Sequence, residues 1–111
     1  MIERGAVCWV EPGGTRFPVV VVQDDAFNHS RIPTVMVIPL ATNLRLLDAP
    51  GNVLVPAMVS GLAREAVANV SQVLTFERRV LRETSSRLDS TLLRGIDGGL
   101  SLALGLRPFH P

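Results

Sequence analysis

A small, mainly β domain with a C-terminal helix is the fold class this sequence predicts, on three observations. Short apolar stretches separated by turn residues fill the first two-thirds of the 111 residues. One stretch near the end repeats its apolar residues at helical spacing instead. No repeat or linker divides the chain, so residues 1–111 read as one domain, long enough to bury roughly two-thirds of its unfolded surface. Five or more short strands with turns between them suggest a small barrel.

The first two strands are "AVCWVE" (Ala6 to Glu11) and "RFPVVVVQ" (Arg16 to Gln23), joined through Pro12-Gly13-Gly14-Thr15. Pro followed by Gly suits the central positions of a type II turn, so a hairpin is expected. Val19 to Val22 and Val35 to Leu40 are apolar at both parities, as in strands covered on both faces. Asn52 to Val55, Ala66 to Thr75 and Arg82 to Leu88 are further strand candidates. The helix begins at Asp89 or Ser90, either of which can cap it with a side-chain oxygen. Leu92, Leu93, Ile96, Leu100, Ala103 and Leu104 form its apolar stripe, and Gly105 suits its C-terminal end. Gly95, Gly98 and Gly99 inside it cost about 2–3 kcal/mol relative to alanine, so tertiary packing must hold this helix. The tail Phe109-His110-Pro111 is expected to be disordered.

Composition narrows the function classes. The apolar fraction of 47% and mean hydropathy of +0.31 are high for so small a chain, which points to a homo-oligomer. No apolar run reaches the ~18 residues of a membrane span. The opening residues lack the pattern of an export signal, and the single cysteine, Cys8, sits in an apolar strand pattern as a buried thiol; both suit the cytoplasm. The net charge is only +1, so nucleic acid must be attracted by a local patch. All eleven basic residues are arginine, whose planar fork suits phosphate contacts and stacking on bases.

Two histidines and one cysteine, with no ligand pair at close spacing, argue against a metal site. No cofactor fingerprint or Ser-His-Asp arrangement is present. Asp24-Asp25, His29 and Arg78-Arg79 read as solvated loop residues, and Trp9 as a core residue. What remains is a set of polar residues at strand ends: Arg16, Asn28, Arg31, Thr42, Asn43, Arg45, Ser71 and Gln72. Guanidiniums with amides and hydroxyls suit recognition of phosphates and bases.

The stretches "RGAVCWVE", "RFPVVVVQDDAFNHSRIPTVMVIPLATNLRL", "APGNVLVP", "SGLAREAVANVSQVLT" and "LDSTLLRGIDGGLSLALGL" resemble, in order and spacing, the MazF/PemK family of toxins of type II toxin-antitoxin systems. The resemblance runs from about Arg4 to Leu106. It implies a CcdB/PemK-like, small SH3-like β-barrel acting as a homodimer. It further implies a cofactor-free, metal-independent endoribonuclease (an mRNA interferase) that cleaves single-stranded RNA. The RNA's 2′-hydroxyl would attack the adjacent phosphate, and a cognate, MazE-like antitoxin would inhibit by laying a partly acidic tail across the RNA groove. The resemblance assigns catalysis to an Arg before a Pro in the second strand and a Thr ending the third.

This chain departs from that pattern. Phe17 precedes Pro18, with Arg16 one position earlier, and Ala41 stands at the expected Thr position, with Thr42 one later. Ala6 replaces an Asp, and only Pro12 to Thr15 stand in place of a longer loop with a Gly-Ser-Glu-Gln segment. A shift of one residue in a regular strand turns a side chain to the other face. A regular ladder thus turns Phe17 and Ala41 towards the groove, whereas a bulge at Pro18 or Pro39 restores Arg16 and Thr42. The first reading is an RNA-cleaving toxin with Arg16 and Thr42 as catalytic residues and Asn28, Arg31, Asn43, Arg45, Ser71 and Gln72 as RNA contacts. The alternatives are a catalytically weak or silent module that binds RNA or antitoxin, and a toxin acting on a protein such as gyrase.

Overall fold

The computed structural model describes residues 2–106; the Phe109–Pro111 tail lies outside them. Seven strands form one strongly curled sheet: β1 (Ala6–Val10), β2 (Phe17–Val21), β3 (Thr34–Ala41), β4 (Val53–Val55), β5 (Ala66–Ala68), β6 (Leu74–Glu77) and β7 (Arg82–Arg87). Their order is β4-β5-β3-β2-β1-β7, with β6 also paired to β3. Three α-helices complete the fold: α1 (Asp25–Asn28), α2 (Ala57–Ser60) and α3 (Ser90–Leu104). The expected mainly β architecture with a C-terminal helix is what forms.

The β1–β2 hairpin is present, but its turn differs from the expected one. Gly13 and Gly14 are the central residues, both at positive φ (61° and 83°), and the Thr15 N–H donates to the Pro12 carbonyl. Two consecutive positive φ values are the mark of a type I′ turn, whose twist matches that of the flanking strands. Pro12 therefore precedes the turn centre.

The expected long strand over Ala66–Thr75 divides into β5 and β6. Both run antiparallel to β3, with Leu40 opposite Ala68 and Val37 opposite Leu74. Three steps along β3 thus face six along the other segment, and the three extra residues form an excursion between Asn69 and Val73, with Val70 turned into the core and Ser71 and Gln72 exposed. Side-chain hydrogen bonds fix this excursion. Asn52 Nδ2 donates to Leu46 O and Asn69 Oδ1, Asn52 Oδ1 accepts from Val70 N, and Ser71 Oγ donates to Asn69 Oδ1.

The curled sheet buries apolar side chains on both faces. Val7, Val20, Ile38 and Leu40 meet Ile96 of α3 on one face, while Cys8, Val10, Val19, Val21, Val35 and Val37 pack with Ile2 and Leu81 on the other. Each fully buried valine or isoleucine contributes about 1.5–3 kcal/mol. Met36 departs from the pattern of a strand covered on both faces, being 42% exposed.

The helix starts where Asp89 accepts from the Leu92 N–H and ends at Gly105, at φ 68°. Leu92, Leu93, Ile96 and Leu100 face the core, but Ala103 and Leu104 of the expected stripe run past it and are exposed. Gly99 is buried where α3 crosses the turn at Gly51: a Cβ on Gly99 would lie 2.1 Å from the Gly51 carbonyl oxygen. The helix is held by this backbone-to-backbone approach, which only glycine permits.

Candidate nucleic-acid groove

Pro18 and Pro39 shape the site. Neither has an N–H to give, and the β2–β3 ladder stops at the Val19–Pro39 pair. The ladder is regular up to that point, with Val20 opposite Ile38 and Val21 opposite Val37, and no bulge interrupts it. Beyond its end a groove of about 780 Å³ opens, with the two prolines in its wall. Polar groups reach it from Thr42 and Asn43 after β3, from Arg64 between α2 and β5, and from Gln72 in the excursion. Trp9, Phe17, Leu62 and Ala41 supply apolar walls.

The groove sits at the end of a seam instead of on one face of the sheet, so side chains of both parities line it. Phe17 and Ala41 do so, as a regular ladder leads one to expect, but so does Thr42, which that argument turned away. Phe17 also packs edge-on against Phe76, centroids 6.5 Å apart, and so belongs partly to the second core. Arg16 occupies the neighbouring recess with Glu11, Pro12, Phe76, Val80 and Arg82. Its guanidinium lies over the Trp9 ring, 4.0 Å from the centroid, and Trp9 is a wall of both spaces. The tryptophan expected in the core is thus half-buried and carries a cation on its face, a contact worth about 0.5–1 kcal/mol at an exposed site.

The other candidates divide. Asn43 lines the groove while its side chain caps the 3-10 turn Leu44–Asp48, accepting from Arg45 N at 3.1 Å. Arg45 is exposed on that turn and does not line the groove. The Ser71 hydroxyl is spent on Asn69, where it supports the excursion that carries Gln72 into the groove. Arg31 lies in a separate recess with Arg78 and Arg79. Asn28 is buried: its amide donates to Gln23 O and Asp25 Oδ1, and its oxygen accepts from Gln23 Nε2. With its donors and acceptor engaged inside the protein, it is a brace for α1 with nothing to offer a ligand.

Arg64, Asn52 and Asn69 were not singled out in the sequence. Arg64 follows Gly61, whose positive φ of 77° ends α2 and whose missing side chain leaves room for Ser86 of β7. A Gly-terminated turn followed by an arginine was the local signal available.

Folding also gathers Glu3, Asp25 and His29, whose ligand-type atoms lie within 4.8 Å of one another, a cluster that close sequence spacing did not reveal. These groups are already committed. Glu3 accepts from Arg87 at 3.0 Å, and Asp25 accepts from the Arg4 N–H and from Asn28. The Arg87 hydrogen bond and charge hold the Glu3 carboxyl below its usual range, and the Asn28 hydrogen bond does the same for Asp25. The Arg87 guanidinium disfavours a second cation there. Cys8 is fully buried, and desolvation raises its pKa to about 11, so it stays a thiol.

The model of the PemK-like, MazF-like toxins of type II toxin-antitoxin systems matches residues 3–104. Endoribonuclease MazF6 of Mycobacterium tuberculosis is 33% identical over 113 residues, spanning 96% of this chain and 99% of that protein. Endoribonuclease EndoA of Bacillus subtilis is 29% identical over 99 residues, covering 89% and 84%. Among solved structures, a mycobacterial endoribonuclease in complex with its cognate antitoxin superimposes with a TM-score of 0.82 at 23% identity, covering 99% of this chain and 100% of that one. A MazE-MazF structure from Deinococcus radiodurans gives 0.79 at 19% identity, covering 96% and 97%.

Proposed function

This chain belongs to the PemK-like, MazF-like toxins of type II toxin-antitoxin systems, and we propose that it is an endoribonuclease that cleaves single-stranded RNA without a metal ion. The observation carrying this reading is that Thr42, Asn43, Arg64 and Gln72 share one groove with Trp9, against whose ring Arg16 is stacked. A 2′-hydroxyl in the groove passes its proton to a solvent water and attacks the adjoining phosphorus. The bond to the 5′-oxygen breaks, and that oxygen takes up a proton. The products are a 2′,3′-cyclic phosphate and a 5′-hydroxyl end. Arg16, exposed and within reach from the rim, neutralises the charge growing on the phosphorane or acts as the acid for the departing oxygen. Thr42 donates a supporting hydrogen bond, and Asn43, Gln72 and Arg64 hold the strand.

The same groove is the place for the tail of a cognate antitoxin, whose carboxylates would meet Arg64 and Arg16. We take residues 1–111 as one domain that works as a homodimer in the cytoplasm. Exposed Met36, Leu102, Leu104 and Leu106 supply apolar surface for such pairing. Among the described residues no helix is long and apolar enough to cross a membrane.

The test is incubation of the purified protein with a long RNA in excess chelator. Fragments with cyclic phosphate ends, absent with Arg16→Ala, are expected. No fragments, or fragments lost when the chelator is present, overturn the reading. The silent-module alternative draws on Arg16 lying in the neighbouring recess with Phe17 and Ala41 at the groove; growth arrest on expression in a bacterium, with degradation of its mRNA, counts against it.

A further inference from the structure

The surface beyond Trp9 carries arginines that this reaction does not use. Four depressions follow one another and share walls: the groove and the Arg16 recess share Trp9, that recess and the next share Arg82, and the next and last share Arg78. The last, about 490 Å³, lies between the loop at Arg31–Pro33 and the 3-10 turn Arg78–Val80. A row of neighbouring recesses therefore leads away from the groove, with an aromatic ring or a guanidinium at each boundary.

Two of these guanidiniums are held in place without being neutralised. Arg78 Nη2 donates to the Ile32 carbonyl at 3.0 Å, and Arg82 Nη1 donates to the Arg79 carbonyl at 2.7 Å. Each spends one of its five N–H donors on a neutral acceptor, which fixes its position and leaves its charge available. Arg79 is paired with Glu77 at 2.5 Å, but both side chains are largely exposed, so solvent weakens that pair. Arg16, Arg31, Arg78, Arg79 and Arg82 share this surface with the carboxylates of Glu11, Glu77 and Glu83. Five positive charges against three leave six arginines against seven carboxylates over the rest of the chain. The strip is positive on an otherwise slightly negative molecule. Exposed Val80 and Ile32 lie between the arginines as apolar patches on which base faces can rest.

Building on the ribonuclease reading, we propose that this strip is a second RNA track, which binds the backbone of the strand as it leaves the groove. Arg82, Arg78 and Arg31 take successive phosphates, so long RNAs bind more tightly than fragments that fill the groove alone.

The test uses RNA made uncleavable by 2′-deoxy substitution at the cleaved position, in a groove-length form and a form extended by roughly ten nucleotides, within the site size of single-strand binders. Anisotropy titrations across a salt series compare the parent with Arg78→Gln/Arg82→Gln, thermal melting confirming that the variant is folded. The expected result is an about tenfold weaker affinity for the extended RNA at low salt and a salt slope smaller by roughly 1.4, for two lost contacts, with the short RNA unchanged. No change for the extended RNA, or equal loss for both lengths, overturns the proposal. A loss confined to binding of a glutamate-rich peptide also overturns it and assigns the strip to an acidic partner. Because the readout is binding, failure of the parent to cleave any RNA would refute the ribonuclease reading while leaving this comparison decisive.

Discussion

Thr42 lines the groove and Arg16 the recess next to it, the two spaces sharing Trp9; the Val19–Pro39 register, extended three positions past the last observed pair, would set these two residues opposite each other. Each stands one residue from the position at which the family resemblance places its catalytic group. Because the two strands are antiparallel, both displacements run towards the same end of the sheet. On that extended register the proposed pair is displaced together by one rung, with Thr42 in the groove and Arg16 in the adjoining recess. Arg16→Ala should therefore cost about 3 kcal/mol of barrier, roughly a hundredfold in rate, and Thr42→Ala roughly tenfold. On the proposal that they act on one phosphate, the double variant should lose less than the product of the two. Single-turnover cleavage of one defined oligonucleotide measures all three; a fully multiplicative loss would show that they do not share a site.

Asn28 should behave as a structural residue. Asn28→Ala leaves the buried Gln23 amide without one of its two acceptors, Thr34 O alone remaining, and removes a donor from Asp25. Urea unfolding should show a loss of about 1–3 kcal/mol. RNA affinity measured well below the melting temperature should be unchanged.

Gly99→Ala inverts the usual helix rule. Alanine favours a helix interior by about 1 kcal/mol, yet here its methyl group would meet the Gly51 carbonyl oxygen at 2.1 Å. Overpacking of this kind costs about 1–3 kcal/mol, and backbone is less able to give way than side chain. Gly98→Ala, with nothing within 4 Å, is the control and should stabilise. Melting temperatures moving in opposite directions for the two variants are the expected outcome.

Stability should fall in acid through Glu3 and Asp25. Both have folded-state pKa values lowered from 4.5 and 3.8, by hydrogen bonds from Arg87 and Asn28 respectively. A lowered folded pKa gives stabilisation that is complete above the unfolded value and is lost as the pH drops through the folded one. Urea midpoints should be flat from pH 7 to about 5 and decline below about 4.5. Glu3→Gln should make that decline shallower.

Local chemistry made much of this fold legible. Pro12 to Thr15 between two valine-rich runs marks a hairpin, and Asp89 and Gly105 mark the ends of α3 through short-range hydrogen bonds and one positive φ. The features that escaped depend on distant parts of the chain. The excursion after Ala68 is fixed by Asn52, seventeen or eighteen residues away along the sequence, so a ten-residue run that reads as one strand becomes two. The glycines of α3 read as a cost, and only the Gly51 carbonyl explains Gly99. Asn28 and Ser71 have the same composition signal as Asn43 and Gln72; what separates them is that Asn28 is buried and the Ser71 hydroxyl is spent on Asn69, whereas Asn43 and Gln72 line the groove. Strand parity turns Phe17 towards the groove and Thr42 away from it, yet both line it, because parity describes the faces of a sheet and the groove lies at its end.

Trp9 is the chain's one tryptophan, and there is no tyrosine. Near-ultraviolet emission from this protein therefore comes essentially from a single indole set between the groove and its neighbouring recess, with a guanidinium against its face. Anything that enters the groove or draws Arg16 off that ring should alter the colour and brightness of the emission, so the molecule carries its own optical gauge of site occupancy and needs no attached dye.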